Sequence, residues 1–336
     1  MVPEMVEPRP PHHAPDGTFR NPWPDSTPHG FGDVLRWMRE RRGAVRAPTP
    51  ARGAFPVAVP MLSHPRAADD VATATWIGHS TVLLQVGGLN VLVDPMWSER
   101  AFPVQWAGPR RVMSPALPLE SLPPLDVVLV SHSHYDHLDK GTVKRLARAH
   151  GDAAWVAPSR LGSYLRDFGA RDVVELDWWQ SAGVHGATIA ATPARHFSAR
   201  RVRDRNRTLW CGFALEVAGR RIWFAGDTAY HPEFAQVGSR YGPFDLVMMP
   251  IGAYDPRWFM HVVHVNPEEA VQAYADAASA HPSARLPVML GIHWGTFRLT
   301  DEPMDEPPRR ARTAWRAAGL PDERLWIARF GETRSL

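Results

Sequence analysis

Four of the six residues in His132-Ser133-His134-Tyr135-Asp136-His137 carry an imidazole or a carboxylate. These are the side chains that bind divalent cations of the zinc type. Leu125-Asp126-Val127-Val128-Leu129-Val130 lies just upstream, a short β-branched apolar run that reads as a buried strand. Extended backbone repeats its side chains every two residues, so His132 and His134 point to one side. A turn after His134 brings Asp136 and His137 to a second position close by. Two imidazoles for one ion, with a carboxylate and an imidazole for another, begin a dinuclear metal site. A His-rich surface loop is the bland alternative, and it gives no reason for such a cluster at a strand end.

That set is too small for two ions, and three further strand ends offer more ligands. His196 closes Thr192-Pro193-Ala194-Arg195-His196 after an apolar strand, Asp227 follows Ile222-Trp223-Phe224-Ala225-Gly226, and His293 follows Val288-Met289-Leu290-Gly291-Ile292. Each sits where a buried strand emerges, and a rigid element there can hold a ligand in place. Taken singly, a Gly-Asp after a strand reads as a turn and a lone His as a hydrogen-bonded side chain. The ordered set of seven, His132, His134, Asp136, His137, His196, Asp227 and His293, is far more specific. His12, His13, His29 and His64 lie in Pro-rich segments and are expected to be exposed.

The elements that must position these residues begin at Val71. Ala72 to Ile77, Thr81 to Val86 and Leu89 to Val93 are apolar runs separated by Gly-containing turns, the pattern of an antiparallel meander. Asp139 to Ala149 reads as a helix with Asp139 as its N-cap. Further strands are predicted at 153–157, 172–176, 187–192, 210–217, 221–226, 245–250 and 287–292. Asn266-Pro267-Glu268-Glu269 opens another helix with a cap, Pro at its first position and acid in its first turn. Mixed strands and helices in this order predict an α/β fold of two sheets flanked by helices. Residues 1–70 form a Pro-rich N-terminal extension. Within it Phe31, Val34, Leu35 and Met38 fall at helical spacing beside Trp37, with Arg36, Arg39, Arg41 and Arg42 around them, a short amphipathic basic helix. Residues 71–336 are expected to form one domain around this site.

With 336 residues and 44% apolar side chains the chain is long enough to bury a sizeable core. The net charge of +3 gives no general case for nucleic acid as a partner. Cys211 is the one cysteine, which excludes an intramolecular disulfide and fits a reducing compartment. No apolar run approaches the roughly 20 residues of a membrane span, and the N-terminus has no signal-peptide pattern. A cytoplasmic protein, or one peripheral on the inner face of the membrane, is expected.

At this point the sequence resembles the metallo-β-lactamase superfamily, and within it the N-acyl-phosphatidylethanolamine-hydrolysing phospholipase D family. The resemblance runs from Asn21-Pro22-Trp23-Pro24 to near the C-terminus. It is carried by Trp76-Ile77-Gly78-His79-Ser80-Thr81, Gly108-Pro109-Arg110-Arg111, Glu175-Leu176-Asp177-Trp178-Trp179, Pro250-Ile251-Gly252-Ala253-Tyr254-Asp255-Pro256-Arg257-Trp258-Phe259-Met260, His264-Val265-Asn266-Pro267-Glu268-Glu269-Ala270 and His293-Trp294-Gly295-Thr296-Phe297. It implies an αβ/βα sandwich with two zinc ions. His132, His134 and His196 would hold one, Asp136, His137 and His293 the other, and Asp227 would bridge them. Manganese or iron suits the same donors.

The reaction so implied is attack of metal-activated hydroxide on phosphorus of an N-acylated phosphatidylethanolamine, giving phosphatidic acid and an N-acylethanolamine. Asp136, Asp227 and His264 are the catalytic candidates, with His264 placed to protonate the departing alkoxide. The competing reading of His264 is a residue flanking the helix that starts near Asn266. By resemblance Gln105 and His264 approach the substrate phosphate, and Trp106 stands where the animal enzymes carry tyrosine. Arg200 and Arg201, in an Arg-rich stretch after His196, are candidate phosphate contacts. A phospholipid substrate, a membrane surface and a homodimer are the expected partners. A lactonase or soluble phosphodiesterase on the same fold is the alternative, and a lipid-binding protein with structural metals is a second.

Overall fold

Strand formation follows the apolar runs closely. The computed structural model describes residues 10–25, 29–44 and 46–336, without the side chain of Phe31. Among these residues the strands form two seven-stranded sheets. The first sheet contains β1 (Ala72–Gly78), β2 (Thr81–Val86), β3 (Leu89–Val93), β4 (Val127–Leu129), β5 (Ala154–Pro158) and β6 (Asp172–Leu176). The second contains β7 (Ser181–Val184), β8 (Ala187–Thr192), β9 (Gly212–Val217), β10 (Arg220–Phe224), β11 (Leu246–Pro250), β12 (Val288–Ile292) and β13 (Leu325–Trp326). Finally β14 (Thr333–Ser335) returns to the first sheet, antiparallel to β1.

The predicted meander is present: β1, β2 and β3 pair antiparallel, and β3 to β6 continue as parallel neighbours. The second sheet repeats this plan, antiparallel from β7 to β10 and parallel from β10 to β13. The two sheets share one core. Val82, Leu84, Val91, Val93, Val127 and Leu129 of the first sheet belong to the same apolar cluster as Ile189, Phe213, Leu215, Trp223 and Met249 of the second. The alternate residues Leu83, Leu92, Val128 and Trp155 face outward, and meet Val143, Leu146 and Leu165 of the covering helices. Burial on both faces explains why these strands read as continuous apolar runs.

The helices are α1 (Phe31–Gly43), α2 (Lys140–Ala149), α3 (Gly162–Asp167), α4 (Phe234–Tyr241), α5 (Arg257–Met260), α6 (Pro267–Ser279) and α7 (Glu306–Ala317). Asp139 caps α2 by accepting from Gly141 N, and Asn266 with Glu269 forms a reciprocal capping box on α6. The caps fix where each helix starts, and so where the preceding turn must end. No helix among the described residues is long and apolar enough to cross a membrane.

The N-terminal segment corrects one expectation. His12 is buried at 4% exposure and His13 is half-buried, because both donate to Asp177, at 2.6 Å each. His12 also stacks on Trp178, and Trp23 stacks on Trp178 and His231. His29 is half-buried against Phe259, while His64 is exposed as expected. A tie spanning 165 residues of chain cannot be seen in local composition. Helix α1 forms as predicted, but its apolar residues divide: Val34 and Trp37 face inward and Leu35 and Met38 are half exposed. The Phe31 side chain lies outside the described residues.

Candidate metal centre

The seven predicted ligands come together at strand ends. His132 and His134 follow β4, Asp227 follows β10, His293 follows β12, and His196 lies four residues beyond β8. Only glycine fits before Asp227: Gly226 has φ +66°, and a Cβ there would meet the Cys211 carbonyl oxygen at 2.5 Å. Asp94, His79 and His293 also take positive φ, at 38°, 54° and 60°. That region is costly for these residue types, and such strain concentrates at functional sites.

Three imidazole nitrogens form the first group. His134 Nδ1 lies 2.8 Å from His132 Nε2 and 3.1 Å from His196 Nε2. The other nitrogen of His196, Nδ1, donates to the Val263 carbonyl at 2.8 Å, which leaves a lone pair on Nε2 facing the group. The second group gathers on Asp136 Oδ2, which lies 3.5 Å from both His137 Nε2 and His293 Nε2. Asp227 Oδ2 stands between the groups, 3.1 Å from His137 Nε2 and His293 Nε2 and 4.0 Å from His132 Nε2 and His196 Nε2.

These residues fit divalent cations on their own geometry. His137 Nε2, His293 Nε2 and Asp227 Oδ1 are buried and have no hydrogen-bond partner. Buried polar atoms are nearly always satisfied, so a cluster of orphans aimed at one another needs a cation to accept its lone pairs. Ionisation agrees. Burial opposes the charge on Asp227, but His137 and His293 outweigh it and hold the carboxyl well below its usual range. Burial, then the neighbouring imidazole of His196, pushes His134 down to about 3, and burial first of all pushes His196 down to about 4. Neutral imidazole and ionised carboxylate are the forms that ligate metal.

Two members of the site were not predicted as such. Asp94, fully buried at the end of β3, accepts from His137 Nδ1 at 2.6 Å and from Ser131 N at 2.7 Å. His79, in the turn between β1 and β2, lies with Nε2 2.9 Å from Asp136 Oδ2. Its backbone accepts from His293 N at 3.1 Å. A single acid or imidazole in a turn has no spacing to mark it; the signs available were that Asp94 directly ends an apolar run and that His79 lies in one of the stretches that carry the family resemblance.

His264 does not cap α6, since Asn266 does. Its ring lies 5.0 Å from that of His196 and 5.4 Å from that of His293, and Nδ1 is buried without a partner. Burial holds it well below the usual imidazole range. A cavity of about 390 Å³ opens over the candidate ligands, walled by Val34, Trp37, Phe259, Val263 and Leu299, with His264 and Arg205 in its lining. Gln105, Arg200 and Arg201 line a different cavity, and Trp106 is 82% exposed. Gln105 binds the backbone of its own loop at Arg100, and Arg200 donates to Ser133 O and Leu138 O. Arg200 thus braces the ligand-bearing turn from behind.

A two-sheet sandwich whose strand ends bring His and Asp together in this way is the architecture of the metallo-β-lactamase fold, with side-chain groups that could hold metal ions. Residues 89–294 match the beta-lactamase superfamily domain, and the chain belongs to that superfamily. An uncharacterized protein of Mycobacterium tuberculosis is 45% identical over 242 residues, covering 71% of this chain and 63% of its own length. The N-acyl-phosphatidylethanolamine-hydrolyzing phospholipase D 1 of Caenorhabditis elegans is 41% identical over 236 residues, covering 67% of this chain and 64% of its own. This chain therefore spans less than two thirds of either relative. In fold it is similar to the crystal structure of an isothiocyanate hydrolase from Delia radicum gut bacteria, with TM-score 0.61 at 18% identity, covering 79% of this chain and 98% of that one.

Proposed function

We propose that the protein is a zinc phosphodiesterase of phospholipase D type. It holds two zinc ions and hydrolyses N-acyl-phosphatidylethanolamine-like lipids to phosphatidic acid and N-acylethanolamine. The observation that carries this reading is the cavity above the ligands: an apolar wall of Val34, Trp37, Phe259, Val263 and Leu299 meets a floor of His and Asp. A lipid needs both, an apolar surface for its chains and a charged floor for its phosphodiester. The similarity to the Caenorhabditis elegans enzyme points the same way.

Divalent cations in such a site acidify water and draw charge from phosphate oxygens. His132, His134 and His196 would hold one and Asp136, His137 and His293 the other, with Asp227 shared; manganese or iron is compatible with these donors. Asp136 and Asp227 stay ionised, so the negative charge that retains the cations is fixed within the protein. His264 is neutral in the free site and offers one N–H to a phosphate oxygen. It takes up a proton for the leaving alkoxide only once an anionic phosphate lies beside it. Arg205, in the same lining, supplies a fixed positive charge for the phosphate.

Such a substrate lives in a bilayer, and we assign Leu35 and Met38, together with Trp106 and Val202, to contact with it; all four are exposed. A membrane-peripheral placement goes with this reading, and the homodimer rests on the family resemblance alone. Incubating the protein with mixed-lipid vesicles in oxygen-18 water and identifying products by mass spectrometry tests the reaction. Labelled phosphatidic acid is expected. Label in the alcohol rules out attack at phosphorus, and cleavage of lactones without any phosphodiester moves the chain to the lactonase reading.

A further inference from the structure

Only two of the 38 basic Lys and Arg residues are lysines, Lys140 and Lys144. Both line one cavity of about 420 Å³, together with Arg201. They stand four residues apart on α2, where like charges are neighbours on one helix face and repel. Nearby arginines have carboxylates to offset them: Arg145 pairs with Glu120, and Arg166 with Glu175. Lys140, Lys144 and the Arg201 guanidinium form no such ion pair among the described residues. Asp139, which also lines the cavity, uses both oxygens on Ser98 N, Ser98 Oγ, Gly141 N and Thr142 Oγ1 as the cap of α2. Asp204, which accepts from Arg200 N, Arg201 N and the Tyr164 hydroxyl, lies beside Arg201, while the two lysines carry their charge into the cavity without a paired carboxylate.

Phe102, Tyr135, Tyr164 and Phe168 make much of the remaining wall aromatic. Lys140 Nζ sits 5.6 Å over the Phe168 ring and the Arg201 guanidinium 5.0 Å over Tyr164. At the back, Arg200 stacks on Tyr135 at 4.1 Å and is held by the Ser133 and Leu138 carbonyls. That brace separates this cavity from the metal ligands, and none of the ligand residues lines it.

We infer that this cavity is a second binding site, for a phosphate group carried on an organic body, held by Lys140, Lys144 and Arg201. A phosphate has several acceptor oxygens and up to two negative charges, so it can meet three cations at once. The rings of Tyr164 and Phe168 receive the organic part. The inference does not depend on which substrate the metal centre takes. Phosphate of this kind comes from a soluble ester or from an anionic lipid headgroup.

The full, metal-loaded protein is compared with its Lys140→Gln/Lys144→Gln and Lys140→Arg/Lys144→Arg forms. One arm measures labelled glycerol 3-phosphate by equilibrium dialysis; the other measures co-sedimentation with phosphatidylcholine vesicles with and without phosphatidic acid. Binding at the metal centre remains as a common background, and metal content and thermal melting check that each form is folded. The Gln pair is expected to lose about tenfold in affinity in at least one arm while the Arg pair keeps it. Loss in the dialysis arm identifies a soluble ester, and loss confined to phosphatidic acid vesicles identifies a headgroup; either supports the site. Undiminished binding by the Gln pair in both arms, or an equal loss in the Arg pair, overturns it.

Discussion

The carboxylate of Asp94 receives the Nδ1–H of His137 at 2.6 Å, with both residues fully buried. One bond therefore decides which face of the imidazole meets the metal centre. With Nδ1 committed to Asp94, Nε2 is turned toward Asp227 and Asp136. Asp94 is itself fixed by Ser131 N and Ser131 Oγ, at the foot of the turn that bears His132 and His134. The same carboxylate ties the ends of β3 and β4 together.

Replacing Asp94 tests this. Outer partners of ligating histidines typically contribute about 10- to 100-fold to metal affinity. Asp94→Ala should weaken one ion by that order in chelator competition, with the other ion less affected. Asp94→Asn, which can still accept from Nδ1–H, should fall between. Unchanged metal affinity in Asp94→Ala would show that packing alone orients His137.

His79 gives a second prediction. Its Nε2 contact at 2.9 Å holds Asp136 Oδ2 in line with His137 and His293. We expect His79→Ala to reduce turnover by about 10- to 100-fold and to loosen the Asp136-bound ion. His79→Gln, which keeps a donor near that position, should recover part of the loss. Melting curves serve as the control, because His79 is also buried beside Phe297. Equal activity of His79→Ala and wild type would remove His79 from the site.

Why some of these residues were legible in the sequence and others were not has a physical basis. Asp227 and His293 each end an apolar run that must be a buried strand, and His196 follows such a run by four residues, so their positions were legible once the strands were. Most of the strands were readable because burial on both faces leaves few polar interruptions, Gln85 in β2 and Asn90 in β3 among them. Strand β8 lies where predicted, at Ala187–Thr192, while β7 was missed: it is short, carries Gly183 and exposes Ser181. His79 and Asp94 act through contacts with residues tens of positions away, and a lone side chain carries no period. Arg200 has a structural task that its local setting did not show. It lies in an Arg-rich stretch, and three-dimensional packing also uses it to brace Ser133 and Leu138.

Acid should unfold the metal-free protein in a defined window. Burial foremost depresses His79 to about 3, His134 to about 3 and His196 to about 4 in the folded state, below the ordinary imidazole value of about 6.5. The unfolded chain then binds more protons, so stability rises with pH. This contribution is present above about 6.5 and is lost as pH falls toward 4 and 3. His293 has the opposite sign. Burial works against its proton, but Asp227 and Asp136 outweigh that and raise it to about 9, so its contribution is lost as pH rises through 9. Melting of chelator-treated protein across pH should peak between these limits. A melting temperature that stays level from pH 7 to pH 4 would contradict the depressed values.

The last prediction concerns how a membrane-borne substrate would reach the cavity. Helix α1 has Val34 and Trp37 in the cavity wall, while Leu35 and Met38 point outward at 50% and 49% exposure. Not all of its arginines are free for headgroups. Arg36 pairs with Glu40 and lies over Trp258, and Arg41 pairs with Asp301, which leaves Arg39 and Arg42 exposed. Each contributes on the order of 1 kcal/mol near an anionic surface, screened by salt. Leu35→Asn/Met38→Asn should therefore weaken vesicle binding by about tenfold and lower turnover of vesicle substrate. Turnover of a short-chain soluble phosphodiester should stay the same, because neither side chain lines the cavity. Removing the whole segment would be a poorer test, since Phe19 and His12 are buried in the fold and Asn21 Nδ2 donates to the His196 carbonyl at 2.8 Å. If the double variant binds vesicles as tightly as wild type at low and high salt, α1 is a wall of the cavity and no more, and the lipid enters from another side.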